Sequence, residues 1–133
     1  MRLVKLSELR EYELVYVATP YTNFPAGLDE AFAEAAKICA KLIKKGIQVY
    51  SPIVNAHPIS VYGRVDPKDH GFWLPYDMAM MRKSDALVIA KLESWELSHG
   101  IALERKQFVS AKKPYYYIDP VTLEVTQNDD RKG

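Results

Sequence analysis

Two acidic residues give the first indication of chemistry. On a helical wheel turning about 100° per residue, Asp77 falls between Met80 and Met81, with Leu74 one turn before it. Glu104 falls between Phe108 and Ala111, with Ile101 one turn earlier, while Lys106, Gln107 and Ser110 take the polar face. A charged group on an apolar stripe is costly unless it is paired or opens onto a cleft. Taken singly, each acid has a simpler reading. Asp77 can complement the dipole in the first turns of its helix, and Glu104 can form an ion pair with a basic neighbour. Taken together, two helices that each turn one acid inward present a carboxylate pair. In such a pair one acid attacks or stabilises a cationic carbon and the other delivers a proton.

Other chemistry-bearing residues narrow the choice. The segment TPYTNFPAG at residues 19–27 carries Thr19, Tyr21, Thr22 and Asn23. These hydroxyls and the amide suit a sugar or a phosphate, and they equally suit a plain turn. No GxGxxG and no GxxxxGK[ST] occurs, which argues against a dinucleotide cofactor and a Walker-type ATP site. His57, His70 and His99 lack metal-ligand spacing, and no metal or cofactor is expected. There is no GxSxG elbow. Asp85, following Ser84, reads as a turn acid. Trp73 and Trp95 stand near the starts of the two acid-bearing helices, placed either to stack on a planar base or to fill the core. Cys39 is the single cysteine. It excludes an internal disulfide framework and a cysteine-based zinc site, and its apolar helical surroundings make it core filler.

These residues need elements to position them. Leu14–Ala18 (LVYVA) reads as a buried strand ended by Pro20. Residues 28–45 form a helical pattern, with Ala31, Ala35, Ile38 and Leu42 on one face and Gly46 as the stop. Ile47–Ser51 is a second strand closed by Pro52. Residues 53–72 hold two prolines, two glycines and two histidines, and read as a long irregular loop of the functional or mobile kind. A short helix over residues 74–83 has Pro75 in its first turn. Ala86–Leu92 is a third strand, and a helix over 98–112 starts at Ser98 as N-cap. Pro114–Ile118 is a fourth strand, and residues 123–126 add a short edge strand. The tail from residue 127 to 133 is expected to be flexible.

Strands alternating with helices indicate an α/β fold with a mostly parallel sheet of four to five strands. Ligands in such folds bind beyond the carboxyl ends of the strands. That directs attention to the segments 19–27, 52–73 and 93–99. The length of 133 residues suits one domain over residues 1–133, with its core at about 14–118. Eighteen basic against seventeen acidic residues leave a net charge of +1, which argues against a nucleic-acid polymer as partner. No apolar run approaches the roughly 20 residues that span a bilayer, so no membrane partner is expected. The opening MRLVKLSELREYE has no apolar signal-peptide core, so a cytoplasmic location is expected.

The motifs VYVATPYT, SPIVNAHP, WLPYDMAMMRKSDALVIAKL and WELSHGIALE, in this order, resemble the nucleoside 2-deoxyribosyltransferase-like superfamily over about residues 14–118. Its relatives include 2′-deoxynucleoside 5′-phosphate N-hydrolases and cytidylate N-glycosidases. The chain looks most like a branch with strand–ATPY, SPI–HP, W–D and W–S–G–E signatures. The resemblance implies a three-layer Rossmann- or flavodoxin-like fold and cleavage of an N-glycosidic bond. Glu104, the acid of S-x-G-x-x-x-E, matches the family nucleophile. Asp77, eight residues before Asp85, matches the proton donor to the leaving base. Tyr16 resembles the tyrosine that positions the nucleophile. Thr19, Pro20, Tyr21, His57, Trp73, Ser98 and Gly100 are implied around the substrate.

Position 98 separates two substrate types in the resemblance. Relatives acting on free nucleosides carry Asp there, and those acting on 5′-monophosphates carry Ser. A carboxylate at this place would repel a phosphate, whereas Ser98 and helix amides would welcome it, with His99 adding charge. The chain departs from the nucleotide hydrolases in its first loop, ATPYTNFPAG, which has no basic residue. Arg64, Lys68 or a neighbouring subunit would then have to supply the grip on phosphate. The implied activity is that of an N-hydrolase or a deoxyribosyltransferase, working through a covalent ribosyl-enzyme ester and needing no cofactor. The implied partner is a small nucleoside or nucleotide, in a homo-oligomer with sites near the interface. The competing expectation is a module of the same fold that binds nucleotides without cleaving them.

Overall fold

The β-branched and aromatic runs form the centre of a six-stranded sheet in the computed structural model, which describes residues 1–128. The strands are β1 (Arg2–Val4), β2 (Val15–Ala18), β3 (Val49–Tyr50), β4 (Ala86–Ala90), β5 (Tyr115–Ile118) and β6 (Val125–Gln127). The helices are α1 (Leu28–Lys44), α2 (Pro52–Gly63), α3 (His70–Lys83) and α4 (His99–Ser110). Strand order is β1-β6-β5-β4-β2-β3. The block β3, β2, β4, β5 is parallel, and β6 and β1 join antiparallel at one side. This is a single α/β domain with a Rossmann-like, mostly parallel sheet.

Every residue of β2 and β4 is buried, as expected for strands covered on both faces. Alternation sends Val15, Val17, Val88, Tyr116 and Ile118 to the α1 side, where they meet Ile38, Leu42 and Ile47. Tyr16, Ala18, Leu87, Ile89 and Tyr117 point to the other side and meet Met81 of α3 with Ile101 and Phe108 of α4. Three layers result. Cys39 is buried in the α1 layer, and burial pushes its thiol up to about 11, as suits a core residue. Asp85 is the turn acid expected: its carboxylate accepts from the Leu14 amide at 3.0 Å. Among the described residues, no helix is long and apolar enough to cross a membrane.

The structure corrects several expectations. Residues 53–72 are not a long loop. Ser51 caps α2 by accepting from the Val54 amide at 3.2 Å, and Pro52 sits in the first turn, where its missing N–H costs nothing. Arg64 ends α2 in the left-handed conformation, and α3 begins at His70, capped by Asp69, rather than at Leu74. The sheet has six strands, not four or five, because the N-terminal residues add β1 beside β6. With β1 outside it, β6 is an inner strand and extends through Gln127. Leu9, ahead of the expected core, is fully buried in it. The rest of the expected tail, from residue 129, lies outside the described residues.

Candidate active site

The strand order sets where a ligand can sit. From β2 the chain runs through α1 to β3 at one edge, and from β4 it runs through α4 to β5 on the other side. The adjacent strands β2 and β4 therefore mark the switch point, where an α/β sheet leaves a crevice at its carboxyl end. A cleft of about 180 Å³ lies there. The loop after β2 lines it with Thr19, Tyr21 and Thr22, and α2 with Pro52, Ile53, Ala56 and Ser60. Pro67, His70, Trp73 and Asp77 of α3 and its approach face Ser98, His99, Gly100 and Glu104 of α4. The cleft continues between α3 and α4 into a more apolar groove, where Leu74, Met81 and Leu103 join the two acids.

Local structure fixes the key groups. Ser98 is the N-cap of α4, its Oγ accepting from the Ile101 amide at 3.2 Å, so the helix begins at the cleft. The Asn23 amide donates to the Leu97 carbonyl at 3.3 Å and ties the first loop to that helix start. Trp73 is anchored by its indole N–H, which donates to the Asp66 carbonyl at 3.0 Å. At the far end of α3, the Lys113 ammonium donates to the carbonyls of Met81, Arg82 and Ser84 at 3.2, 2.9 and 2.8 Å.

Glu104 and Asp77 both face this cleft, as their helical positions require. Glu104 is only 8% exposed, and Asp77 is half-buried. Burial pushes Glu104 up to about 8; the Tyr16 hydroxyl pulls against this and the Asp77 charge adds to it. Burial alone raises Asp77 to about 6. Burial thus favours the neutral form of both acids, and a charge on Asp77 further disfavours ionisation of Glu104. Glu104 takes part in no ion pair with a described basic residue.

Tyr16 lies behind Glu104 rather than in the cleft wall. It is fully buried, and its ring is held between Tyr50 and Phe108 at centroid distances of 5.7 and 5.8 Å. Burial and the neighbouring acids keep its hydroxyl protonated. That hydroxyl has no hydrogen-bond partner of normal geometry among the described residues, and the charges of Glu104 and Asp77 both act on it. The Thr19 hydroxyl, at the cleft wall, is likewise buried without a partner among the described residues. An unpaired buried hydroxyl at a cleft wall is a place where a ligand group can bind.

The expected site residues sort clearly. Thr19, Tyr21, Trp73, Asp77, Ser98, Gly100 and Glu104 converge on one cleft. His57 does not line it but stands behind Tyr21, whose hydroxyl meets His57 Nδ1 at 2.7 Å. Pro20 is buried and outside the lining. Trp95 packs on Tyr117, 5.4 Å between ring centroids, and serves the core. Arg64 and Lys68 are exposed and do not reach the cleft, which no Lys or Arg side chain lines among the described residues. Ser60, His70 and the apolar residues of α2 were not singled out for the site, because the segment holding them reads as a loop in sequence. Among the described residues, no group of three or more His, Cys, Asp or Glu stands together as a metal site would need.

No curated protein matches the chain. A family profile described as a domain of unknown function, DUF1937, matches residues 13–119 and so takes in β2 to β5 with every residue of the cleft. The description names no activity, and on this match the chain belongs to the DUF1937 family.

Proposed function

We propose that the protein cleaves the N-glycosidic bond of a (deoxy)nucleoside or its 5′-monophosphate, as an N-hydrolase or a deoxyribosyltransferase. The observation that carries this reading is the convergence of Glu104 and Asp77 on one cleft, where burial raises the pKa of both. The likeness of its motifs to the nucleoside 2-deoxyribosyltransferase-like superfamily supports it. A Glu104 oxygen bonds to the anomeric carbon as the carbon–nitrogen bond to the base breaks, and Asp77 gives its proton to the leaving nitrogen. Water or an acceptor base then attacks the same carbon, Asp77 takes the proton released, and Glu104 leaves. The two displacements give net retention.

Proton placement matters here. Burial favours the neutral form of both acids, whereas attack uses the form with Glu104 ionised and the proton on Asp77. Positive charge growing at the anomeric carbon favours ionised Glu104 and so draws that form out. Tyr16 assists by donating to the carboxylate. The apolar groove between α3 and α4, with Trp73 at its wall, suits the planar base. The hydroxyl-bearing side of the cleft suits the sugar. Ser98 at the α4 N-terminus can accommodate a phosphate, but no Lys or Arg lines the cleft among the described residues, which favours the uncharged nucleoside.

A second copy of the chain is the macromolecular partner we infer. Helix α2 exposes Ile59, Val61 and Tyr62, and neighbouring α3 exposes Phe72, Leu74 and Tyr76. Leu74 also lines the outer groove, which would put the site near that interface.

The experiment is to incubate the protein with nucleosides and 5′-monophosphates, with and without an acceptor base, and to follow free base by chromatography. Release that disappears in Glu104→Ala is the expected result. Release only with an acceptor base means a transferase. No release from any substrate, alike in wild type and variant, overturns cleavage and leaves nucleotide binding. Light scattering of the same sample reports the oligomer.

A further inference from the structure

Tyr21, His57 and Asp29 form a hydrogen-bonded chain running from the cleft to the protein surface. Tyr21 lines the cleft, and its hydroxyl lies 2.7 Å from His57 Nδ1. His57 Nε2 lies 3.0 Å from Asp29 Oδ1. The imidazole is 7% exposed and stacked on Phe32 at 4.6 Å and 22°, so the ring cannot turn to solvent. Tyr21 meets it edge-on.

The direction of each bond follows from what each group can do. A carboxylate has no proton to give, so Asp29 accepts and neutral His57 carries its hydrogen on Nε2. Nδ1 is then a bare acceptor, and the only proton available to it is that of the Tyr21 hydroxyl. Burial raises the Tyr21 hydroxyl above its ordinary value, opposed by Ser60 and reinforced by the Asp29 charge, so it keeps the proton to donate. With that hydrogen spent, the oxygen has only lone pairs left.

We propose that Asp29 and His57 are positioning residues that turn the Tyr21 hydroxyl into a hydrogen-bond acceptor toward the cleft. Tyr21 thereby selects ligands that place a neutral O–H or N–H donor against it and disfavours phosphate oxygens there. This rests on the cleft being a nucleoside site; the donor would be a sugar hydroxyl or an exocyclic amino group of the base. A tyrosine free to rotate would serve donors and acceptors alike. One whose proton is committed discriminates between them, because a mismatched partner leaves two lone pairs facing each other.

Two measurements test it. Nitrogen-15 NMR of the histidine rings at about pH 8, above the usual imidazole range, reads the tautomer without any ligand. His57 protonated on Nε2 is expected in the wild type, with the Nδ1–H form gaining in Asp29→Ala. His57 protonated on Nδ1 in the wild type overturns the proposal, whatever the enzyme cleaves. The second measurement titrates 2′-deoxycytidine, its 3′-O-methyl derivative, 2′-deoxyuridine and inorganic phosphate into wild type and Tyr21→Phe. One analogue lacking a donor should bind about tenfold more weakly than 2′-deoxycytidine to the wild type, and that difference should vanish in Tyr21→Phe. A methyl effect identifies the sugar hydroxyl, and a uracil effect identifies the amino group. Equal binding of all three nucleosides, binding of none, or phosphate seated on Tyr21 overturns the donor selectivity. Failure of base release overturns glycosidic cleavage and leaves the tautomer result untouched.

Discussion

The Tyr16 hydroxyl is a buried donor set behind the Glu104 carboxyl, and it is the one neighbour that favours the ionised form of that acid. Burial and the Asp77 charge both push the other way. Tyr16→Phe therefore raises the Glu104 pKa beyond about 8. The high-pH limb of kcat/KM moves up, and activity at pH 7 falls by about tenfold, the scale of one charge-assisted hydrogen bond. Stability should scarcely change, since in the resting protein the hydroxyl has no partner of normal geometry among the described residues and its bond to Glu104 forms as that acid ionises. Denaturant melts and a pH profile on the same variant separate the two effects. A large stability loss with an unchanged profile would make Tyr16 merely a core residue.

The carboxylate pair predicts a bell-shaped kcat/KM profile with limbs near pH 6 and pH 8, set by Asp77 and Glu104 together. Asp77→Asn removes the charge that helps to raise Glu104, so Glu104 should titrate lower in the variant. Carbon-13 NMR of the glutamate carboxyls checks the direction. The same variant should lose activity on ordinary nucleosides by about a hundredfold or more and keep most of it on an analogue whose leaving group needs no proton. Equal loss on both would deny Asp77 the role of acid.

The parts of this site legible in sequence are those where burial and periodicity agree. β2 and β4 are unbroken apolar runs, and the wheel positions of Asp77 and Glu104 point them inward correctly. Ser98 is readable because an N-cap needs only its own hydroxyl and the amide three residues on. Helix α2 is not readable, and the reason is physical. It buries Pro52, His57 and Ser60 and exposes Ile59, Val61 and Tyr62, so the large apolar residues of its second half face away from the core. With Pro58 inside it as well, the usual helix signature is inverted and interrupted. β1 escapes notice because two of its three residues are exposed, leaving no alternation to see. The link from Tyr21 to His57 and Asp29 joins segments 36 and 28 residues apart in pairs. No local pattern encodes it; it exists only once α1 and α2 pack together.

A buried acid kept for chemistry should cost stability in a pH-dependent way. Glu104 rises from 4.5 to about 8 on folding, so the folded protein holds a proton that the unfolded chain has released. Unfolding in that window releases it, and stability falls as pH rises from about 4.5 to about 8. Asp77 adds a smaller loss between 3.8 and about 6. At about 1.4 kcal/mol per pH unit, the cost of ionised Glu104 is on the order of a few kcal/mol. Glu104→Gln escapes it. The variant should melt several degrees above wild type at pH 8.5 and much nearer to it at pH 5, while losing base release. A gap that is the same at both pH values would mean that folding does not raise the Glu104 pKa.

Lys113 holds the far end of the helix that carries Asp77. Its ammonium donates to three carbonyls at the end of α3, those of Met81, Arg82 and Ser84, and lies 5.8 Å from the Phe108 ring centroid. Carbonyls at a helix C-terminus lack partners within the helix, and a cation there also meets the negative end of the dipole. Lys113→Met keeps most of the side-chain stem but removes all three bonds. A loss of about 2 kcal/mol is expected, since hydrogen bonds to a charged group each contribute about 1.5–3 kcal/mol and these three share one ammonium. Urea melts measure it. Because Phe108 and Met81 flank the same corner as the buried ring of Tyr16, loosening it should also lower kcat more than it raises KM. Stability unchanged by the substitution would show that water satisfies those carbonyls as well as Lys113 does.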